Sequence, residues 1–382
     1  MLNTHRRLSL IEHLQQLPDP RVQGRTDHDL VDVLVIGLCC QLCGGEGFND
    51  MEDFGHAKRD WFATFLPLRS GIPTHDTFNR VFAALKPEAF LEVFMAWTQS
   101  LRTQVAGEIV ALDGKALRRA LDCGDSPRVI VSAWAASNSL VLGQIEVPDK
   151  TNEIVALPKL LRALELAGCI VTIDAMGCQK EIAKEIIEAD ADYVLTLKGN
   201  QGQCHAEIKS HLDDAVARHH ETAPTRRNRM PLAYHQTVEK DHGRLETRRY
   251  WQSGDLSWFA GKEQWEGLRS VGVVESVRQV GGAEPTTERR YYLSSLPVDA
   301  QKFAQAVRGH WAIENSLHWV LDVQCGEDRS RVRVGHAAAN LALLRRLALN
   351  LLKAERTKKR GIKGKQLNAS WDHAYLLRLL NF

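Results

Sequence analysis

Two aspartates in this chain follow apolar runs that are typical of buried strands. Asp113 follows the run 108–112, and Asp174 follows the β-branched run 170–173. Two carboxylates held side by side repel each other, so such a pair at one edge of a sheet implies a bound cation or a shared proton. Ligand sets made only of oxygen suit Mg2+, with Mn2+ as a substitute.

A third carboxylate, Glu314, lies in the segment HWAIENSLHWVLDV, which starts at His310 and has a helical pattern. Delivered from a helix packed on the sheet, Glu314 would complete a site for two metal ions. Such a site activates a water or hydroxyl on one side of a phosphodiester and stabilises the leaving oxygen on the other. The three acids therefore indicate metal-dependent chemistry on phosphodiesters.

Two other interpretations of these residue types remain open. His310, Glu314, His318 and Asp322 recur every four residues on one helical stripe, a spacing that also suits zinc, although a zinc site there leaves the aspartate pair unexplained. A single Asp after a strand is often a turn former or a helix cap. The cysteines at 39, 40 and 43 are expected to be buried small hydrophobes of an apolar helix and not metal ligands.

A strand-helix-strand unit between Cys169 and Gln201 positions Asp174. Its strands are expected to be parallel with a right-handed crossover, so the residues after both strands share the carboxyl edge, where open α/β sheets bind ligands. The polar residues of this rim are candidate phosphate contacts: Lys115, Lys198, Asn200 and Gln201.

The order of predicted elements defines an α/β fold class. Strands at 108–112, 128–136 and 140–147 precede a helix at 153–166 and then the strand-helix-strand unit. Three antiparallel strands followed by alternating helix and strand is the order of a ribonuclease-H-like fold. In that order the first and fourth strands are parallel neighbours, which would set Asp113 beside Asp174.

The other segments of the chain differ in their predicted secondary structure and charge. Thr74 is expected to cap a helix that presents His75, Asn79 and Arg80, as either a DNA-reading helix or an ordinary bundle helix. The predicted segments are a helical N-terminal domain (1–104), a first part of the core (105–222), a β-rich insertion (223–295), C-terminal helices of the core (296–354) and a basic tail (355–382). Three tryptophans of the insertion, at 251, 258 and 265, either pack its own core or stack on unpaired bases.

Composition and charge are those of a globular protein of two or three structural units. The 382 residues carry a net charge of only +2, but basic residues cluster at 226–229, 329–333 and 353–365, and such local patches favour nucleic-acid binding. The longest apolar run, 30–43, is too short to span a bilayer, so no membrane association is expected. We expect a cytoplasmic protein with reduced thiols.

Several long motifs resemble the DDE transposases of bacterial insertion sequences, in the group that includes the H-repeat-associated proteins of Rhs elements. The motifs are ALDGKALR around Asp113, KTNEI from Lys150, TIDAMGCQ around Asp174, LKGNQ from Leu197, DHGRLETR from Asp241 and HWAIENSLHWVLDVQCGEDRSR from His310. GIPTHDTFNRVF from Gly71 resembles the amino-terminal associated domain of that group. The resemblance covers nearly the whole chain.

The resemblance implies a ribonuclease-H-like core in which Asp113, Asp174 and Glu314 are both the catalytic residues and the metal ligands. It implies DNA transposition on double-stranded transposon ends and target DNA, with hydrolysis that frees a 3′-hydroxyl and attack of that hydroxyl on the target. Mg2+ would be the cofactor, a homodimer would form when two ends are synapsed, and the protein would associate with the nucleoid.

One departure from the family pattern concerns the residues around Glu314. Better-studied relatives carry a Tyr, an Arg and a Lys where this chain has Val307, His310 and Leu321. The candidate substitutes for gripping DNA are Arg308, His318 and Arg329. Further candidate DNA contacts are Arg244, in the DHGRLETR motif, and Lys358, Lys359 and Arg360 of the basic tail.

Two alternatives to a transposase use the same residues. One is a metal-dependent DNA nuclease that cuts but does not join. The other is a catalytically silent DNA-binding protein that derives from a transposase and keeps its fold.

Overall fold

The structure is a computed structural model that describes residues 8–22, 24, 26–103, 105–121, 127–147, 153–220, 232–241, 243–281 and 283–380. The chain forms two compact units. The first unit comprises Met1–Gln104, Gly114–Asn152 and Ile313–Phe382, and the second comprises Val105–Asp113 and Glu153–Ala312. The basic cluster at 226–229 and the start of the KTNEI motif at 150–152 lie outside the described residues.

The strands are β1 (Ile109–Leu121), β2 (Pro127–Ala135), β3 (Leu140–Val147), β4 (Ile170–Ile173), β5 (Asp192–Leu197), β6 (Ala233–Asp241), β7 (Arg244–Ser253), β8 (Ser270–Val280) and β9 (Thr286–Ser294). The helices are α1 (Leu10–Leu14), α2 (Leu30–Leu42), α3 (Phe48–Ala57), α4 (Arg59–Phe62), α5 (His75–Ala84), α6 (Pro87–Leu101), α7 (Glu153–Ala163), α8 (Lys180–Glu188), α9 (Gly202–His220), α10 (Ala300–Ile313), α11 (Trp319–Cys325), α12 (Ala337–Ala354), α13 (Ile362–Trp371) and α14 (His373–Leu380).

The second unit is built on a sheet with the strand order β1-β4-β5-β9-β8-β7-β6. Strands β1, β4 and β5 are parallel, with Leu112 opposite Ile173 and Ile173 opposite Leu195. In the first unit β2 lies between β1 and β3, and β2 pairs antiparallel with β3. The predicted ribonuclease-H-like α/β fold is confirmed, including the parallel first and fourth strands.

Strand β1 differs from its prediction in length. It does not end at Asp113 but continues to Leu121, because its later residues lie beside β2 in the first unit. What ends near Asp113 is the pairing with β4, whose last partners are Leu112 and Ile173. Asp113 therefore lies within β1, directly after the last residue of β1 that pairs with β4.

The β-rich insertion continues the sheet of the second unit. Strand β9 pairs antiparallel with β5, and β8, β7 and β6 follow as antiparallel neighbours. Helix α10 covers this sheet with Phe303, whose ring contacts those of Tyr250 and Tyr292 at centroid distances of 6.4 and 5.4 Å. Of the insertion's tryptophans, Trp251 and Trp265 are buried, and Trp258 stacks on His211, so all three pack against the protein.

Helix α12 is the central element of the first unit. Every residue from 337 to 352 is buried, because α12 packs on α2, α5 and α6 and on β3. Its polar side chains are therefore paired inside the core. Asn350, for example, accepts from the amide of Val141 at 2.8 Å and donates to the carbonyl of the same residue at 2.9 Å.

The chain after residue 354 is partly helical. Helices α13 and α14 follow α12, and Tyr375 is buried with its hydroxyl donating to Glu355 at 3.0 Å. Cys39 and Cys40 are buried in α2, and burial raises the pKa of both thiols, which fits the predicted hydrophobic role. Among the described residues, no helix is long and apolar enough to cross a membrane.

Candidate active site

The two aspartates occupy equivalent positions on neighbouring parallel strands. Asp113 and Asp174 each follow the last paired residues of β1 and β4, Leu112 and Ile173. Neighbouring strands lie about 4.8 Å apart, and residues at the same register position point to the same face of a sheet. Both aspartates are half-buried. The second unit therefore presents two carboxylates at one edge of its parallel strands.

The turn after β4 holds the carboxylate of Asp174 in place. Its Oδ1 accepts from the amides of Met176 at 3.0 Å and Gly177 at 3.4 Å. A Cβ atom at residue 177 would lie 2.2 Å from Cγ2 of Ile173, so only glycine fits this tight turn. Oδ2 has no hydrogen-bond partner among the described residues and is available as an oxygen ligand.

Asn200 and Gln201 brace this turn from the next strand. The Asn200 amide donates to the carbonyl of Ala175 at 2.6 Å. The Gln201 amide donates to the carbonyl of Cys178 at 2.7 Å and to Oε1 of Gln179 at 3.1 Å. These bonds engage the two amide groups in the turn, and the predicted phosphate contacts of Asn200 and Gln201 stay predictions. Lys198 is exposed, so its predicted phosphate contact stays a prediction.

Helix α10 packs closely on the strands that carry the aspartates. A Cβ atom on Gly309 would lie 2.7 Å from Cδ1 of Ile109, so glycine allows the helix to approach β1. The next residue, His310, has Nδ1 3.2 Å from Oγ1 of Thr172, two residues before Asp174. Burial lowers the pKa of His310, although the charge of Asp174 acts in the opposite direction. The lowered pKa favours the neutral form of the His310 imidazole.

Lys115 lies in an ion network of the first unit. Its Nζ atom is 2.6 Å from Asp322, 2.9 Å from Asp328 and 3.3 Å from Glu327, and only 8% of its side chain is exposed. Burial lowers the pKa of Lys115, but Glu327 and the two aspartates outweigh burial and raise it. Three carboxylates surround the ammonium group, and the predicted phosphate contact of Lys115 stays a prediction.

Glu314 and His318 form the two ends of a π-helical turn in the first unit. The turn spans Glu314–His318, and Oε2 of Glu314 lies 3.2 Å from Nδ1 of His318. The glutamate is exposed, while His318 is buried, and burial lowers its pKa. π-Helical turns inside helices are rare and are frequent at functional sites. Glu314 thus has a solvent-accessible carboxylate at an unusual turn.

The helical stripe that allowed a zinc site does not form one ligand set. Asp322 bonds to Lys115 at 2.6 Å, and His310 contacts Thr172. Only Glu314 and His318 of the stripe contact each other within the first unit. The stripe therefore does not supply four ligands to one ion, and the identity of the metal stays a prediction.

The remaining predicted DNA contacts fall into two groups. Arg308 pairs with Glu239 at 3.1 Å, Arg244 pairs with Glu246 at 3.5 Å, and Arg329 pairs with Glu46. By contrast, Lys359 and Arg360 are exposed between α12 and α13, and Lys358 lies 6.0 Å from the centroid of the Tyr375 ring. A guanidinium group has five N–H donors, so an arginine that holds one carboxylate keeps donors for phosphate, and these DNA contacts stay predictions.

Sequence reasoning did not single out Glu327 and Arg346. Both are fully buried, and Nη1 of Arg346 lies 2.7 Å from Oε1 of Glu327. The only signals in the sequence are an arginine inside an apolar helix and the acidic pair after Gly326 in the CGEDRSR motif. Neither signal identifies the partner.

The strand order makes the chain a ribonuclease-H-like α/β protein. The family model for the transposase DDE domain matches residues 107–351, and the DDE_Tnp_1-associated model matches residues 11–98. The chain belongs to the DDE transposase family.

Relatives in Escherichia coli share most of the chain. "Putative transposase YncI" of strain O157:H7 is 38% identical over 97% of this chain and 94% of its own length. "H repeat-associated putative transposase YhhI" of strain K12 is 36% identical over 97% of both chains. A solved piggyBac transposase synaptic complex with hairpin DNA has a TM-score of 0.46 at 12% identity, covering 98% of this chain and 79% of that one. The fold class rests on the strand order and the family models.

Proposed function

We propose that this protein is an active DNA transposase that cleaves transposon ends and transfers them to target DNA. One observation carries the proposal: Asp113 and Asp174 occupy the same position on two neighbouring parallel strands of the second unit. In the reaction, hydrolysis of one phosphodiester frees a 3′-hydroxyl, which then attacks a phosphodiester of the target. The substrates are double-stranded transposon ends and target DNA, and two chains act together when two ends are synapsed.

Glu314 is the third acid of the proposed site. Support comes from α10, which packs on β1 at Gly309 and contacts Thr172 of β4 through His310. Glu314 follows His310 by four residues, about one turn of the same helical segment. The helix that leads to the glutamate is therefore held on the strands that carry the two aspartates.

The donor chemistry of these residues fits Mg2+, with Mn2+ as a substitute. Asp174 keeps Oδ2 available, and Glu314 is exposed, so both offer carboxylate oxygens, which Mg2+ prefers. When bound, the divalent ions activate the attacking oxygen and stabilise the leaving one. Asn200 and Gln201 fix the turn that orients Asp174, and the half-buried His310 contacts Thr172 with a lowered pKa that favours its neutral form.

The test of catalysis compares Asp113→Asn, Asp174→Asn and Glu314→Gln with the parent protein on duplexes that carry the sequences flanking the coding region. We expect cleavage with Mg2+ in the parent and at least a hundredfold loss in each variant, with duplex affinity retained, because the acids act in the chemical step. Asp190→Asn is the matched control, since this exposed aspartate lies in a turn at φ +54°, which asparagine also tolerates. Parent-like cleavage by any two of the three variants would contradict the site.

A second assay separates transposition from simple cutting. Pre-cleaved ends with a free 3′-hydroxyl are incubated with a supercoiled target and Mg2+. Joined products support strand transfer. Cleavage of intact ends without any joining would instead identify a nuclease, and binding without either reaction would identify a silent relative of the family.

A further inference from the structure

A groove in the first unit lies outside the proposed catalytic residues. It encloses about 540 Å³. Its lining comes from the start of α3, the first turns of α5 and the segment that follows α11. The residues that matter for its chemistry are Glu46, His75, Asn79, Arg329, Arg331 and Arg333.

One wall carries arginines at every second position. Arg329, Arg331 and Arg333 are exposed, while the intervening Ser330 and Val332 are half-buried. Ser330 has the extended backbone angles φ −62° and ψ 129°. The three exposed arginines therefore line the groove from one short segment of the chain.

Two of these arginines have no carboxylate to neutralise them. Among the residues that the structure describes, none forms an ion pair with Arg331 or Arg333. The two acids that line the groove have other partners: Glu46 pairs with Arg329, and Oδ2 of Asp50 accepts from the amides of Glu46 at 2.7 Å and Gly47 at 3.0 Å. The guanidinium groups of Arg331 and Arg333 are therefore open to an external anion.

The opposite wall offers hydrogen-bond donors. Helix α5 starts at His75 after the Thr74 cap, and Asn79 lies one turn further on. His75 contacts Glu52 at 2.6 Å, and this hydrogen bond raises the pKa of His75 and favours its charged, donating form. The Asn79 side-chain amide is a donor that suits phosphate and sugar oxygens, whereas the ring nitrogens of His75 face the carboxylates of Glu52 and Asp76.

We propose that this groove binds the sugar-phosphate backbone of duplex DNA, with Arg331 and Arg333 on phosphates. The inference rests on the proposed function and names a DNA-binding surface for it. Several cationic side chains in one groove favour a polyanion over a single small anion. Glu46 competes with the DNA by holding Arg329.

The experiment measures the affinity of the full chain for a mixed-sequence duplex by fluorescence anisotropy at several KCl concentrations, without divalent ions. For Arg331→Ala with Arg333→Ala, we expect weaker binding and a salt slope that is shallower by about 1.8, from roughly 0.9 per phosphate contact. Glu46→Gln should bind more tightly than the parent, because it removes a negative charge and loosens Arg329. Arg59→Ala, at an exposed arginine of α4 outside the groove lining, is the matched control and should bind like the parent.

The groove assignment is overturned if the double variant, with an unchanged melting temperature, keeps the parent's affinity and salt slope. It is also overturned if the Arg59 control loses as much affinity as the double variant, since the loss would then come from the change in net charge and not from the groove. Failure of the groove is distinguishable from failure of the proposed function. If the parent neither cleaves nor joins DNA while the double variant still loses binding, the groove stands and the catalytic proposal falls.

Discussion

Glu327 is a charged residue without solvent exposure, and its neighbours explain how it stays ionised. Arg346 lies 2.7 Å from one carboxylate oxygen, and Lys115 lies 3.3 Å from the other. Burial raises the pKa of Glu327, but Arg346, Lys115 and Arg345 outweigh burial and lower it to about 2. Losing one member of such a buried network leaves the other charges uncompensated.

Glu327→Gln is therefore expected to lower the free energy of unfolding by about 3 kcal/mol at pH 7. The lowered pKa means that the Glu327 carboxylate stabilises the fold fully above its unfolded pKa of about 4.5, and that this contribution is lost as the pH falls towards 2. Urea unfolding between pH 7 and pH 3 measures both effects. Glu92→Gln, at an exposed position of α6, is the control, and equal acid sensitivity of Glu327→Gln and the parent would refute the network's role.

At the scale of elements, the turn after β4 depends on side chains from beyond β5. Asn200 and Gln201 donate to carbonyl groups of the turn that begins at Asp174. Asn200 and Gln201 are therefore positioning residues, since they orient the proposed metal ligand Asp174 through the backbone of its turn. Removing either side chain should change the rate of the chemical step more than the affinity for DNA.

Asn200→Ala should lower the cleavage rate about 10- to 100-fold, as loss of a supporting hydrogen bond around a metal site typically does. We expect the loss in kcat, with KM for duplex ends unchanged, in a steady-state cleavage assay. Gln203→Ala is the matched control, because among the described residues this exposed amide of α9 bonds to Glu207 alone. Weaker DNA binding with an unchanged cleavage rate would instead support the phosphate contact that the sequence predicted for Asn200.

Asn340 of helix α12 donates hydrogen bonds to carbonyl groups at the end of α5 in the first unit. The Asn340 amide donates to the carbonyls of Phe82 and Leu85, both at 2.8 Å, where α5 stops. Asn340→Ala leaves two buried carbonyls without a donor, so we expect a loss of about 2 kcal/mol or more in the free energy of unfolding. Denaturant unfolding of Asn340→Ala beside Asn49→Ala, at an exposed asparagine of α3, measures it. A loss below that of the exposed control would contradict this role.

At the scale of the whole molecule, divalent ions should stabilise the folded chain. An ion that binds only the folded state adds about 2.7 kcal/mol at a hundredfold excess over its Kd. We expect Mg2+ to raise the melting temperature of the parent and not of Asp174→Asn. With EDTA present, the variant should melt at or above the parent, because a repulsive carboxylate is gone. A Mg2+ effect of equal size in both proteins would place the ion elsewhere.

Much of the fold was predictable because it depends on local pattern and chain chirality. The apolar runs before Asp113 and Asp174, with one right-handed crossover, suffice to predict parallel neighbours. Helix α5 and its Thr74 cap were predictable for the same local reason. The long family motifs then predicted the class of protein.

Tertiary structure alone decided the features whose partners lie far apart in the sequence. Lys115 looked like a phosphate contact, yet its carboxylate partner Asp328 is 213 residues away. The full burial of α12 and the extension of β1 beyond Asp113 depend on helices and strands from distant segments. Local hydrophobic pattern determines which face of an element is apolar, but only the packed chain determines which polar groups are paired inside it. The three arginines in the groove of the first unit became visible for that reason.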